Sequence, residues 1–201
     1  MKKVYFALFS IVLLLSLAAL PAFGYVGAGD KMGDLEFQSP MTPEDANYLG
    51  VPPGKPFKLS QVKAPYVLVE VFATGCSHCY AQAPVMNSLF NLVNKEGKIK
   101  MIGLAAGDSP DNVTTWKKQL KVPFALIPDP DGKLSGKLNI MGTPTSILLD
   151  TKTGDVKFAH PGEFKDPEAF LKDLKGFMKY ICFRAALVPP FLYSSEVLSD
   201  L

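Results

Sequence analysis

The chain has 201 residues, 48% of them hydrophobic and 20% charged, with a formal net charge of +2. That is enough apolar material for one packed domain plus an appendage, and it excludes a disordered or fibrous chain. Lys2 and Lys3 are the only charged residues among the first 24, and setting them aside from the 21 basic residues leaves the remainder neutral against 19 acidic ones, with no basic excess for nucleic acid.

In chain order, Lys2-Lys3, the uncharged run 4–20 and Ala22-Phe23-Gly24 have the three zones of a secretory signal: a basic start, an apolar core and small residues two apart. Cleavage after Gly24 is the preferred reading. The competitor is an uncleaved membrane anchor, because the run reaches the lower limit of a span, about 17 residues. Both place the rest of the chain outside the cytosol, in a periplasmic or other extracytoplasmic compartment, soluble or tethered through residues 1–24.

Residues 25–55 are punctuated by Gly and Pro and read as an irregular N-terminal extension, a tether with one short strand near Leu35 to Gln38. A strand start is expected at Pro56-Phe57-Lys58-Leu59. Residues 66–73, short, β-branched and almost wholly apolar, predict a buried parallel strand. Helical spacing of Ala83, Met86, Phe90 and Val93 then predicts a helix over 77–94, stopped at Gly97. Further strands are expected at 98–106 and 124–127 and further helices at 111–120 and 133–138. A hairpin of 145–150 with 156–159 turns across Thr153-Gly154, and a last helix opens at Asp166-Pro167-Glu168. The pattern is that of an α/β domain whose mixed sheet is covered on both faces.

The chemistry centres on Cys76-Ser77-His78-Cys79, at the junction of the strongest strand and the first long helix. Cysteines at i and i+3 can close a small disulfide ring, and a helix N-terminus favours a thiolate at the first of them. Cys76 is therefore the candidate nucleophile and Cys79 the resolving thiol. Structural zinc wants four ligands, and only Cys182, His78 and His160 remain to supply the others. Covalent haem attachment needs His directly after the second Cys, where Tyr80 stands. An inert staple closing so short a loop stabilises little. No cofactor and no metal is called for.

With these residues in place the chain resembles the thioredoxin superfamily, and within it the TlpA-like, redoxin-type exported thiol:disulfide oxidoreductases. The resemblance runs from Pro56 to Lys179 and rests on strand 66–73, the two cysteines, Pro84 five residues beyond the second, and Gly142-Thr143-Pro144-Thr145 before a strand. It implies a thioredoxin fold over 56–179, an N-terminal extension, and a β/α insertion filled by residues 107–138. It implies a cis-proline at Pro144, with Thr143 offering its backbone to an extended peptide. Glu70, six residues before Cys76, corresponds to the family's buried acid and would move the proton of Cys79. His78 stands where oxidising members carry a His that stabilises the thiolate. The partners implied are protein thiol or disulfide substrates and a redox partner protein.

Gly75 departs from the pattern, since a Trp usually precedes the first Cys. A peroxiredoxin would need Pro and Thr seven and three residues before Cys76, where Val69 and Ala73 stand. A thioredoxin-fold copper chaperone, or a non-catalytic binding module, is kept as the alternative; one bound copper per chain without insulin reduction would favour copper delivery. Trp116 reads as packing, and the tail 180–201, with Cys182, lies beyond the resemblance.

Overall fold

The computed structural model describes residues 24–187, with side chains as far as Met178. The proposed leader and the tail beyond residue 187 lie outside the described residues. Among the described residues no helix is long and apolar enough to cross a membrane.

The chain forms β1 (Glu36–Phe37), α1 (Pro43–Leu49), β2 (Phe57–Lys58), β3 (Tyr66–Phe72), α2 (Ser77–Glu96), β4 (Ile99–Ala106), α3 (Pro110–Gln119), β5 (Ala125–Asp129), α4 (Lys133–Lys137), β6 (Thr145–Asp150), β7 (Val156–Pro161) and α5 (Pro167–Leu187). Five strands make one sheet in the order β5-β4-β3-β6-β7, with β1 and β2 paired apart from it. β3 lies at the centre, parallel to β4 and antiparallel to β6. Residues 107–138 add α3, β5 and α4, so β5 extends the parallel side of the sheet.

The twofold alternation of β3 sorts its side chains onto two cores. Val67, Val69 and Val71 belong to one cluster, Leu68 and Phe72 to the other. α2, α3 and α5 cover the second face through residues such as Met86, Leu89, Val113, Trp116 and Leu174. α2 runs through Pro84 and stops at Gly97, whose φ of 67° is the left-handed turn a helix end favours.

The first face is where structure and sequence expectation part. Residues 25–55, read as a tether, pack as a layer on it: Leu35, Phe37, Ala46 and Leu49 are all buried there with Phe57 and Leu59. The rings of Phe37 and Phe57 stack at 5.2 Å. Each fully buried Leu or Phe contributes roughly 1.5–3 kcal/mol, so this segment belongs to the core rather than to a linker. α1 is short but well signalled. Thr42 caps it by accepting from Asp45 N at 3.1 Å, Pro43 opens it, and Gly50 closes it at φ 74°.

The extension also fastens to the β6–β7 hairpin. Met32 N donates to Gly154 O (2.9 Å) and Val156 N to Asp30 O (2.8 Å). Gly154 has φ 71°, and a Cβ there would collide with the backbone of Gly33. Gly154→Ala is expected to lower stability by about 1–3 kcal/mol, read as a lower urea midpoint at unchanged slope.

Candidate active site

The sharp exit from β3 places the two cysteines. Cys76 N donates to Ala73 O (3.1 Å), and the loop is pinned from the side by buried Asp108, which accepts from Thr74 N (2.7 Å) and from the Thr74 hydroxyl. Cys76 is then the N-cap of α2: its backbone is extended and its Sγ accepts from Cys79 N at 3.2 Å. A thiol in this position meets amide N–H groups that have no partner within the helix.

Cys76 and Cys79 are both free thiols here. Their environments differ. Cys76 is partly exposed, whereas Cys79 is 2% exposed. Burial pushes the Cys76 thiol up, but hydrogen bonds from Cys79, the Thr143 side chain and the backbone N–H groups of Cys79 and His78 outweigh it, and the net is below the ordinary thiol value. Cys79 goes the other way, to about 12, through burial first and then its hydrogen bond to Cys76. The arrangement can hold one thiolate, at the exposed sulfur, and keep the second thiol protonated behind it.

Thr143 faces this pair: its carbonyl oxygen accepts from Cys76 Sγ at 3.4 Å, and the Thr143–Pro144 peptide bond is cis. Glu70 sits in mid-β3, opposite Ser146 of β6, and is 5% exposed. Burial raises its carboxyl from an ordinary 4.5 to about 7, against the opposing effect of the Ser146 hydroxyl, which donates to Oε2. A pocket of about 20 Å³, lined by Glu70, Cys79 and Gln82 among apolar side chains, joins the acid to the buried thiol. That is room for about one water.

His78 behaves differently from the other expected residues. Its side chain is 73% exposed and its Nδ1 lies 2.5 Å from Glu163 Oε1, in the loop between β7 and α5. Its part in lowering Cys76 comes through its backbone N–H. His160 is held elsewhere, with Nε2 3.3 Å from Glu163 O and its ring among Phe158, Phe164 and Phe170. Among the described residues no group of three or more His, Cys, Asp or Glu is placed to hold a metal ion. A Cβ at Gly75 would meet open space. Trp116 is packed between Phe72 and Tyr80, at 5.1 and 4.3 Å.

The structure brings the expected Glu70, Cys76, Cys79, Thr143 and Pro144 together around one spot, with Ser146, Gln82, Asp108 and Glu163, which the sequence does not single out, beside them. Ser146 was within reach of register, because an antiparallel hairpin strand beside β3 must set some residue against Glu70. The other three meet the site through loop and helix packing that leaves no periodic trace.

A mixed five-stranded sheet flanked by helices, with a Cys-x-x-Cys dithiol capping its first long helix and a cis-proline opposite, defines a thioredoxin-fold protein. By sequence, residues 29–181 match the AhpC/TSA family, and the chain belongs to it. It is similar to the thiol:disulfide interchange protein DsbE of Vibrio cholerae, 34% identical over 112 residues, which are 55% of this chain and 58% of that one. It is also similar to the thiol-disulfide oxidoreductase ResA of Geobacillus kaustophilus, 25% identical over 124 residues, 61% of this chain and 70% of that one. The match thus spans little more than half the length of the DsbE relative. Among solved structures, the thioredoxin domain of a thiol-disulfide oxidoreductase from Bacteroides vulgatus superposes with a TM-score of 0.58 at 18% identity, over 74% of this chain and 98% of that one. A thioredoxin-family thiol:disulfide interchange protein from Chlorobium tepidum gives 0.56 at 20% identity, over 75% and 97%. At these identities the likeness is one of fold.

Proposed function

We propose that this protein is an exported thiol:disulfide oxidoreductase that exchanges disulfides with protein partners through Cys76 and Cys79. The observation that carries the reading is the opposed ionisation of two adjacent thiols, lowered at the partly exposed Cys76 and raised to about 12 at the buried Cys79. The names of the interchange proteins it resembles support the same class of activity.

In the reductive direction the Cys76 thiolate attacks one sulfur of a substrate disulfide. The substrate S–S bond breaks, its other sulfur leaves as a thiolate and takes a proton, and a mixed disulfide remains. Glu70 takes the proton of Cys79 through the small pocket they share, and Cys79 then attacks Cys76 Sγ. The substrate's second thiol is released and the Cys76–Cys79 disulfide is formed, two electrons having passed to the substrate. Thr143, beside the cis-Pro144, offers its backbone to the substrate as an added strand. The reverse sequence oxidises a dithiol, and a redox partner protein resets the site after either. The N-terminal leader, cleaved or kept as a tether, supports delivery outside the cytosol.

Equilibration of the full-length protein against graded glutathione buffers tests this. A single two-electron transition of Cys76 and Cys79 is expected. A potential near about −270 mV makes the protein a reductant, and one near about −120 mV an oxidant. Failure of the two cysteines to equilibrate with glutathione at all would exclude the function.

A further inference from the structure

Residues 162–164, in the loop between β7 and α5, reach the cis-proline turn, α2 and His78 without having a place in the exchange just described. Gly162 N donates to Pro144 O at 2.8 Å, tying the loop to the cis-proline turn. Phe164 N donates to Gln82 Oε1 at 3.1 Å, tying it to α2 one turn beyond Cys79. The Phe164 ring lies on Phe170 at 3.8 Å and 6°, and Glu163 O takes the His160 contact. The backbone on both sides of Glu163 is therefore fixed, and its carboxylate is aimed at His78 Nδ1, 2.5 Å away.

We propose that Glu163 is a positioning residue for the exchange reaction: it holds the His78 imidazole on the β7–α5 loop, off the Cys76 sulfur, and so keeps the dithiol–disulfide couple more reducing than the His between the cysteines would otherwise make it. This rests on the function proposed above. The physical reason is simple. An imidazole free to turn toward Cys76 stabilises the thiolate, hence the reduced form, while one bound to a carboxylate has its charge balanced and its ring direction set. A single bond to an exposed ring would carry little energy of its own, but the loop's four other anchors hold the carboxylate in place, so less side-chain freedom is lost in making it.

The test is a double-mutant cycle on the full-length protein, read as the equilibrium constant with glutathione. Glu163→Gln is expected to shift that constant toward the dithiol by about two- to fivefold, the size of a partly exposed charge interaction. His78→Ala alone should leave it close to wild type, because the imidazole is already held away. In the His78→Ala background Glu163→Gln should then have no further effect. An unchanged constant in Glu163→Gln overturns the proposal, and so does an equal shift in the His78→Ala background, which would mean that the carboxylate acts through space and not through His78. In either case wild-type exchange with glutathione persists, so the function proposed above would stand. Absence of exchange in the wild type would remove both.

Discussion

Replacing Cys76 by Ser abolishes thiol–disulfide exchange, reducing insulin turnover to the uncatalysed background, whereas Cys79→Ser is expected to stop the reaction one step later. The asymmetry follows from where the sulfurs sit. Cys76 caps α2, partly exposed, and accepts from Cys79 N at 3.2 Å. Cys79 is 2% exposed and holds its proton up to about pH 12. With Ser at 76 the Cys-x-x-Cys site presents no thiolate at the surface, and its buried thiol cannot substitute for it. With Ser at 79 the first attack proceeds and the mixed disulfide persists, so that variant should accumulate a stoichiometric adduct with a disulfide substrate, visible by mass. Exchange retained by Cys76→Ser would show that the roles are assigned wrongly.

Glu70→Gln should yield a protein that is more stable and slower. In the unfolded chain this carboxyl ionises near 4.5, and in the folded chain near 7, because the central strand buries it. Below about pH 4.5 both states are protonated and the stability tied to the neutral acid is fully present. As pH rises the unfolded form ionises first, and stability is lost until the folded form ionises at about 7. The interval corresponds to about 3 kcal/mol. An amide has no such dependence, so Glu70→Gln should exceed wild type by about 3 kcal/mol at pH 8 and match it at pH 4, in urea unfolding. Its resolving step, deprived of the group that accepts the Cys79 proton, should slow by about 100-fold near neutrality and recover toward pH 10 as hydroxide takes over. Equal pH profiles for the two proteins would mean that Glu70 is ionised or solvated in the fold.

How much of this was legible beforehand depends on the range of the interactions. β3, α2 and the β6–β7 hairpin carry their own signals: an unbroken apolar run, a period of 3.6 continuing past Pro84, and a turn at Gly154. α1 carries signals too, Thr42-Pro43 at its start and Gly50 at its end, but among so many Gly and Pro residues they are indistinguishable from breaks. Only the packed structure shows that Leu35, Phe37 and Leu49 meet Phe57 and Leu59 on a sheet face. In the site, Glu70 is legible through the family resemblance, which places a buried acid six residues before Cys76, and the apolar strand around it supplies the physical reason for a raised carboxyl. Glu163 is not legible, because 85 residues separate it from His78. Nothing local marks a carboxylate whose partner is chosen by a loop lying across the site. The same holds for Gln82, whose sequence position on α2 gives no hint that it receives Phe164 N.

The most direct measurement is site-resolved alkylation of the reduced protein across pH, with each cysteine quantified by mass. Cys76 should be modified by iodoacetamide below the pH at which an ordinary thiol reacts, while Cys79 stays unmodified until well above it. Equal labelling of the two thiols, or earlier labelling of Cys79, would contradict the division between an exposed nucleophile and a buried resolving thiol.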